Sequence, residues 1–248
     1  MRSWRLLVAY EGSQFCGWQR QNKGVAIQFL IEQALRHILG QPIVLYGASR
    51  TDAGVHALGQ VAHFLQPEST RSFQTHELLR ALNANLPPQI RILKVNPVST
   101  DFHAQYHAKK KRYCYRVYND SILPPLEWGR VWQIPHPLNE LGIKKASRFL
   151  IGRHDFFSFS VNSKTKRKTT VREITRLEIR KKGAHYEFII EGNGFLYKMV
   201  RMIVGALVQV GLGKHPSDWV QKRLESRVRK PGILTAPAQG LYLTKIFY

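Results

Sequence analysis

The chain has 248 residues, of which 38 are Lys or Arg and 16 are Asp or Glu, so its formal net charge at pH 7 is +22. An excess of positive charge this large destabilises a compact state by self-repulsion unless a polyanion offsets it. Nucleic acid is therefore the first candidate partner. An anionic membrane is the alternative, but the longest apolar run, Met202–Val208, is too short to span a bilayer and is interrupted by Gly205.

The cysteines and the first residues bear on the cellular compartment. Cys16 and Cys114 lie far apart in the sequence, and a chain of this size with so few cysteines is not organised around disulfides or a Cys-rich zinc site. The opening stretch MRSWRLLVAYEG has too short an apolar run, and no small-residue cleavage site, for a secretory signal. We therefore expect a cytoplasmic protein with reduced thiols and no transmembrane segment.

Six elements are predicted in the N-terminal half. Apolar residues recur at helical spacing up to Leu39, and Gly40 and Pro42 end the pattern. A second helical segment stops before two prolines, and runs of strand-forming residues surround both helices. In chain order the prediction is a strand at Trp4–Tyr10, a helix at Val25–Leu39, strands at Pro42–Ser49 and Ala57–Leu65, a helix at Phe73–Leu86 and a strand at Ile90–Val95.

The C-terminal half is predicted to repeat this order of elements. A hairpin is expected where Gly183 separates two strand-forming runs, and a long apolar segment after it is typical of a buried helix. The predicted elements are a strand at Arg112–Asn119, a helix at Leu138–Gly152, hairpin strands at Val171–Lys182 and Ala184–Gly192, a helix at Phe195–Gly211 and a final strand at Gly240–Tyr248.

The order of elements indicates the fold class. Both halves resemble the split strand-helix-strand plan, in which helices cover one face of an antiparallel sheet and leave the other face open. We therefore predict an α+β protein with two ferredoxin-like halves, residues 1–100 and 101–248, whose antiparallel sheets are joined around a central basic cleft. The connector is expected at Asn96–Ala108. Open sheet faces in a basic protein would suit RNA.

Asp52 is the first candidate for chemistry, because it is a lone acid in the stretch YGASRTDAGVHALGQVAHF. Asp, Ala and Gly in succession are good turn residues, so a purely structural turn or cap is the competing interpretation. Arg201 weakens that interpretation. It is bracketed by Val200 and Met202 in an apolar helix, where an arginine without an anion would cost on the order of several kcal/mol. A side chain that snorkels at the helix edge is the alternative for Arg201.

Aromatic and basic residues alternate in KKKRYCYRVY, where Tyr113 and Tyr115 would share one face of a strand. A tyrosine ring beside cations can stack on a nucleobase, which contributes about 1 to 3 kcal/mol in single-strand recognition. Core packing is the alternative, and we expect it for one of the two. The basic runs Lys164–Lys168 and Arg180–Gly183 most often mean solvated loops, but in so basic a chain they would follow phosphates.

Metal and nucleotide motifs are poorly matched. His103 and His107 have the spacing of zinc-binding helices but lack the glutamate of HExxH. The stretch VGLGK lacks the upstream glycine and the following Ser or Thr of a phosphate loop, and no Gly-rich dinucleotide fingerprint follows the first strand. We therefore predict no metal and no cofactor.

Six sequence blocks together resemble the tRNA pseudouridine synthase A family. They follow the family's order over almost the whole chain: YEGSQFCGWQRQ, SRTDAGVHALGQVAHF, NANLP, DFHAQYHAKKKRYCYRVYN, GNGFLYKMVRMIVGAL and GLYL. The resemblance implies isomerisation of uridine to pseudouridine in the anticodon stem-loop of tRNA. It also implies a homodimer that needs no cofactor and no catalytic metal.

The resemblance also implies roles for individual residues. Asp52 matches the catalytic aspartate, Arg50 the basic residue two places before it, Tyr113 the active-site tyrosine and Arg201 the arginine that pairs with the aspartate. The family usually has Gly before the Arg, where this chain has Ser49.

The implied reaction needs the target base outside the RNA stack, because the base must leave its ribose and rejoin it through carbon 5. Asp52 would then attack as a nucleophile, and the sequence leaves open whether it attacks the sugar or the base. Arg201 would keep the carboxylate charged and Tyr113 would stack on the base.

Two other classes of protein compete with this interpretation. A non-catalytic RNA-binding protein could use the same open sheets, with KKKRYCYRVY as its stacking platform. A metal-dependent nuclease or deaminase would need clustered carboxylates, or His with paired Cys, and neither occurs at suitable spacing.

Overall fold

The structure, a computed structural model, describes residues 1–161, 169–229 and 231–248. The chain divides into two compact units: unit 1 contains Met1–Lys109 and Tyr242–Tyr248, and unit 2 contains Lys110–Leu241. Both combine helices with sheet strands, which confirms the predicted α+β class. The finer picture of two ferredoxin-like halves, divided at residue 100 and joined around a basic cleft, stays a prediction.

Unit 1 contains a mixed sheet in the order β4-β1-β3-β10, and a short strand, β2, also pairs with β3. β1 is antiparallel to both of its neighbours, whereas β10 runs parallel to β3. The elements are β1 (Arg2–Tyr10), α1 (Ile27–Leu39), β2 (Tyr46–Gly47), β3 (His56–Gln66), α2 (Thr75–Ala84), β4 (Ile90–Val98) and β10 (Leu241–Phe247).

The core of unit 1 follows directly from the two periodicities of the sequence. Alternate residues of β1 point to one face of the sheet, and Trp4, Leu6 and Val8 are fully buried there. Helix α1 buries Ile27 and Ile31, which are four residues apart and so lie on one helical face. Burial of a large apolar side chain contributes about 1.5 to 3 kcal/mol, so this buried face stabilises the helix within unit 1.

The predicted strand at Pro42–Ser49 is mostly wrong, since only Tyr46–Gly47 forms a strand. Side chains of α1 occupy the backbone groups that a longer strand would use. The Glu32 carboxylate accepts the Leu45 N–H at 3.0 Å, and the Gln28 amide donates to the Leu45 carbonyl at 2.8 Å.

Unit 2 contains a sheet in the order β5-β9-β8-β7, in which the neighbours are antiparallel, and β6 adds a short parallel pairing to β5. The hairpin of β8 and β9 turns at Gly183, whose φ is 58°. The elements are β5 (Lys110–Tyr118), β6 (Trp132–Gln133), α3 (Glu140–Arg148), β7 (Gly152–Asp155), β8 (Val171–Lys182), β9 (His185–Gly192), α4 (Met199–Gly211) and α5 (Trp219–Glu225).

Two helix boundaries in unit 2 differ from the prediction by four residues each. Helix α4 begins at Met199 rather than Phe195, because Lys198 has a left-handed backbone with φ 59° that cannot continue a helix toward the N-terminus. Helix α3 ends at Arg148 rather than Gly152. The short strands β6 and β7 and helix α5 were not predicted. The final strand, which the sequence analysis assigned to the second half, pairs with β3 in unit 1.

Candidate active site

Asp52 lies in a tight turn between β2 and β3. The Val55 N–H donates to the Asp52 carbonyl oxygen at 3.2 Å. Gly54, the third residue of the turn, has φ 76°, a left-handed value that glycine adopts without strain. The turn indicated by the succession Asp-Ala-Gly is therefore present. It leaves the Asp52 side chain half-buried.

The loop after β1 braces the Asp52 turn from one side. The Trp18 N–H donates to the Thr51 carbonyl oxygen at 3.1 Å, and the Gly54 N–H donates to the Phe15 carbonyl oxygen at 3.4 Å. The Tyr10 and Thr51 hydroxyl oxygens lie 2.7 Å apart and are buried. Backbone and side chains thus hold the residues on both sides of Asp52.

Two glycines allow this loop to approach the turn so closely. A Cβ on Gly12 would lie 2.0 Å from the Val55 carbonyl oxygen, and one on Gly17 would lie 2.5 Å from the Thr51 carbonyl oxygen. Gly17 also has φ 109°, a conformation that other residues rarely adopt. The sequence analysis assigned no role to these glycines. Their occurrence in a loop rich in turn residues was the signal that could have found them.

His56, the first residue of β3, joins the turn to the last strand. Its buried ring stacks on Tyr242 with the ring centroids 4.7 Å apart, and its Nδ1 accepts the Gly12 N–H at 3.0 Å. Glu11 Oε1 also lies 3.3 Å from Nδ1. The His56 ring therefore contacts the loop after β1 as well as the last strand.

The two residues before Thr51 differ in their contacts. Ser49 is buried, and its N–H and carbonyl group both bond to the Gln60 side chain, at 3.2 and 2.6 Å. Arg50 is exposed. Within the described parts of the chain its side chain forms no hydrogen bond or ion pair, so its charge is available to a partner.

Tyr113 and Tyr115 are neighbours on the same face of β5, with Cys114 between them in the sequence, and both tyrosines are buried. The Tyr115 hydroxyl donates to the Pro237 carbonyl oxygen at 2.7 Å, and burial raises its pKa well above the ordinary value. Tyr115 therefore belongs to the core. The Tyr113 ring meets the Phe195 ring edge to face, with centroids 5.1 Å apart.

Arg201 lies in the first turn of α4 and is half-buried. Its Nε donates to the Ala236 carbonyl oxygen at 2.7 Å, and the Ala236 N–H donates back to the Arg201 carbonyl oxygen at 3.1 Å. Gly205 permits this approach, since a Cβ there would lie 1.8 Å from the Leu234 carbonyl oxygen. The segment around Ala236 thus orients the guanidinium.

The four predicted site residues are divided between the two units. Asp52 and Arg50 lie in unit 1, and Tyr113 and Arg201 lie in unit 2. The pairing of Asp52 with Arg201 stays a prediction.

The basic runs and the histidine pair have other contacts. Arg180 pairs with Glu178 at 2.6 Å, and Lys181 lies over the Tyr186 ring, so part of the Arg180–Gly183 run is used within unit 2. The run at Lys164–Lys168 lies outside the described residues.

His107 Nδ1 accepts the His103 N–H at 3.3 Å. Among the described residues no group of three or more His, Cys, Asp or Glu could hold a metal ion, and no helix could span a membrane.

Comparison with known proteins shows which family the sequence is similar to. A family model described as tRNA pseudouridine synthase matches residues 6–107 and 146–248. Proteins named tRNA pseudouridine synthase A from Acetivibrio thermocellus and Thermoanaerobacter sp. (strain X514) are 41% and 42% identical over 248 residues, which cover 100% of each chain. A protein named tRNA pseudouridine synthase A 2 from Bacillus anthracis is 39% identical over 247 residues, 99% of each chain.

Both the family model and the relatives cover most of the sequence, including both units. The chain therefore belongs to the tRNA pseudouridine synthase family. It is an enzyme, an isomerase that converts uridine to pseudouridine in tRNA.

Proposed function

We propose that the protein acts on uridines in the anticodon stem-loop of tRNA and that Asp52 is its nucleophile. The bracing of the Asp52 turn carries the proposal. Thr51 and Gly54, on either side of Asp52, are hydrogen-bonded to the loop after β1, and the carboxylate between them is half-buried. A reactive group on so constrained a backbone begins close to its working geometry, which favours catalysis. The choice of the anticodon stem-loop rests on the sequence resemblance.

The reaction conserves all atoms of the uridine. The bond between N1 of the base and C1′ of the ribose breaks, the base turns, and a bond forms between C5 and C1′. The proton on C5 is then lost, and N1 gains one. In this proposal the Asp52 carboxylate forms a transient covalent bond, at the sugar or at the base, and so divides one difficult step into two easier ones.

Tyr113 and the arginines would serve the flipped base and the RNA backbone. Extrusion of a base costs a few kcal/mol, and stacking on an aromatic ring offsets part of it. The Tyr113 ring has Phe195 at one side, which holds it in one orientation. Arg201, oriented by Ala236, would pair with Asp52 and favour the ionised carboxylate. Arg50, exposed and two residues from Asp52, would contact a phosphate.

The proposal includes a homodimer in the cytoplasm that needs no cofactor or catalytic metal. Sedimentation of the purified protein, alone and with tRNA, measures the oligomeric state. If the protein sediments as a monomer at all concentrations, the proposed dimer is wrong, but the proposed role of Asp52 is unaffected.

Tritium release from tRNA that is labelled at C5 of uridine tests the nucleophile. Asp52→Asn should abolish release and leave tRNA affinity nearly unchanged, because the amide keeps the shape and loses the nucleophilic charge. Asp101→Asn is the matched control, since Asp101 is an exposed acid of the same unit. Undiminished turnover by Asp52→Asn would eliminate the nucleophile role. A map of pseudouridine in treated and untreated tRNA identifies the target positions.

A further inference from the structure

Unit 2 contains a cavity of about 660 Å³ that is lined by neither Tyr113 nor Arg201. Its walls come from the end of α3, from β7 with the start of β8, and from α5 with the residues after it. Three arginines line it: Arg148, Arg153 and Arg227. The cavity therefore collects positive charge on elements that have no part in the proposed chemistry.

Two properties of these three arginines bear on ligand binding. All are exposed, and within residues 1–161, 169–229 and 231–248 their side chains form no hydrogen bond or ion pair. Elsewhere in unit 2, Arg112 and Arg176 are both paired with Glu191, at 2.8 and 3.3 Å. Like charges that line one cavity repel each other, so an anion bound among them would relieve that repulsion.

Two carboxylates also line the cavity, and both accept hydrogen bonds from groups other than the three arginines. Asp155 accepts the Phe157 N–H at 3.0 Å and the Thr170 hydroxyl at 2.6 Å. Glu225 accepts from the Gln221 amide at 2.9 Å. Neither carboxylate has an ion pair among the described residues. The carboxylates reduce the net positive charge of the cavity, but the guanidinium donors remain available.

The shape and chemistry of the cavity fit a phosphate on a larger molecule. Guanidinium groups match phosphate oxygens with pairs of parallel hydrogen bonds. Phe149 and Leu224 add an apolar surface. Among the strands of the described residues, β7 lies at the edge of its sheet, so one side of its backbone has no strand partner there. Arg227 has φ 49°, a left-handed backbone that a residue with a Cβ seldom adopts. Strain of this kind is common at ligand sites.

We propose that Arg148, Arg153 and Arg227 form a phosphodiester-binding site for tRNA, distinct from the residues that carry out the isomerisation. Because the substrate of this family is tRNA, an RNA phosphate is the anion that the substrate itself brings to the protein. The site holds a backbone phosphate and reads no base. This proposal requires that tRNA is the substrate, but it does not require that Asp52 is the nucleophile. Either the phosphate site or the nucleophile role can therefore be wrong while the other holds.

Kinetics of a triple variant, Arg148→Gln/Arg153→Gln/Arg227→Gln, tests the site. The KM for tRNA should rise about tenfold or more while kcat is unchanged. The slope of log affinity against log salt concentration should become shallower by about 0.7 to 0.9 for each phosphate that the variant no longer binds. The control, Arg36→Gln/Arg80→Gln/Lys94→Gln, removes three exposed charges from unit 1. Equal KM and equal slope in the two triple variants would overturn the proposal.

Two further measurements separate the phosphate site from a folding defect and from a free nucleotide. The variant Arg148→Lys/Arg153→Lys/Arg227→Lys keeps the positive charge but loses the planar guanidinium groups. The salt dependence of tRNA affinity should therefore return to that of the wild type, whereas the affinity itself should return only in part. Titration of the wild type with AMP and with inorganic phosphate measures binding of small anions. If AMP binds at this site, does not compete with tRNA, and the salt slope for tRNA is unchanged in the triple variant, the ligand is a nucleotide and the RNA proposal is wrong.

Discussion

The hydroxyl oxygens of Tyr10 and Thr51 lie 2.7 Å apart in the interior of unit 1, and this contact ties the end of β1 to the residue immediately before Asp52. The sheet strand is rigid and the turn is short. A displacement of Tyr10 is therefore transmitted to the backbone of Asp52.

Tyr10→Phe should remove this hydrogen bond and leave the ring in place. We expect the free energy of unfolding to fall by about 1 kcal/mol, because the Thr51 hydroxyl loses a buried partner. The kcat for tritium release should fall more than the KM for tRNA changes. Tyr46→Phe is the control, since the Tyr46 ring is 45% exposed and stacks on His63 through its face. An effect of equal size in the control would contradict the bracing role.

Gly17→Ala should destabilise unit 1 and disturb the Asp52 turn. The added methyl group would lie 2.5 Å from the Thr51 carbonyl oxygen, and the backbone at φ 109° already disfavours alanine. We expect a loss of about 2 to 4 kcal/mol in the free energy of unfolding. Gly40→Ala is the matched control, because Gly40 has φ 74° but nothing lies within 4 Å of its added Cβ. Its cost should be about 1 kcal/mol, from the backbone alone.

Tyr113→Phe and Tyr115→Phe should affect different properties, catalysis in the first variant and stability in the second. The Tyr115 hydroxyl donates to the Pro237 carbonyl oxygen inside the core, so its removal should lower the free energy of unfolding by about 1 kcal/mol and leave kcat nearly unchanged. Tyr113→Phe should lower kcat and change stability less, because the Tyr113 hydroxyl, in our proposal, also moves a proton when the base regains its aromatic form. Thermal unfolding and single-turnover kinetics of both variants measure the difference. If Tyr115→Phe is the more damaging for catalysis, the assignment is reversed.

His63 should make the protein sensitive to acid. Burial, with smaller effects of His103 and His107, lowers the pKa of His63 to about 4 from an ordinary value of 6.5, although a backbone hydrogen bond with Tyr46 opposes the change. Between these two values the unfolded chain binds the proton and the folded chain does not. Stability is therefore full above pH 6.5 and is lost as the pH falls toward 4, by about 3 kcal/mol for this group.

Urea unfolding from pH 7 to pH 4 measures this loss of stability. His63→Gln should flatten the curve, because glutamine can still accept the Ala104 N–H that His63 Nδ1 accepts at 3.1 Å, and it does not titrate. His76→Gln changes an exposed histidine of the same unit and should keep the slope of the wild type. An unaltered slope in His63→Gln would assign the acid sensitivity to other groups.

Long elements with a strong local pattern could be predicted from the sequence. Helix α1 and the hairpin of β8 and β9 have apolar periodicities that continue through their whole length, and their limits agree with the prediction to within a few residues. The strand predicted before Asp52 failed because Glu32 and Gln28, from a separate helix, bond to its backbone. Strand β7 has four residues and no apolar pattern, so nothing local marked it.

The candidate site shows the same division between local and distant determinants. The turn at Asp52 follows from its own residues, and Gly54 supplies the left-handed backbone that the turn needs. The turn residues of the loop indicate that Gly12 and Gly17 lie in a bend, but their contacts with the Asp52 turn depend on how the chain folds back. The contact of Arg201 with Ala236 likewise joins residues 35 positions apart.

The pairing of β10 with β3 has a consequence for synthesis. Residues Tyr242–Tyr248 belong to unit 1, whereas unit 2 is continuous from Lys110 to Leu241. As the polypeptide leaves the ribosome, unit 2 can be complete while β3 still lacks its parallel neighbour and His56 still lacks the ring of Tyr242. The half that emerges first is thus the last to mature, because the surroundings of Asp52 need Tyr242–Tyr248, a segment that follows the whole of unit 2 in the sequence.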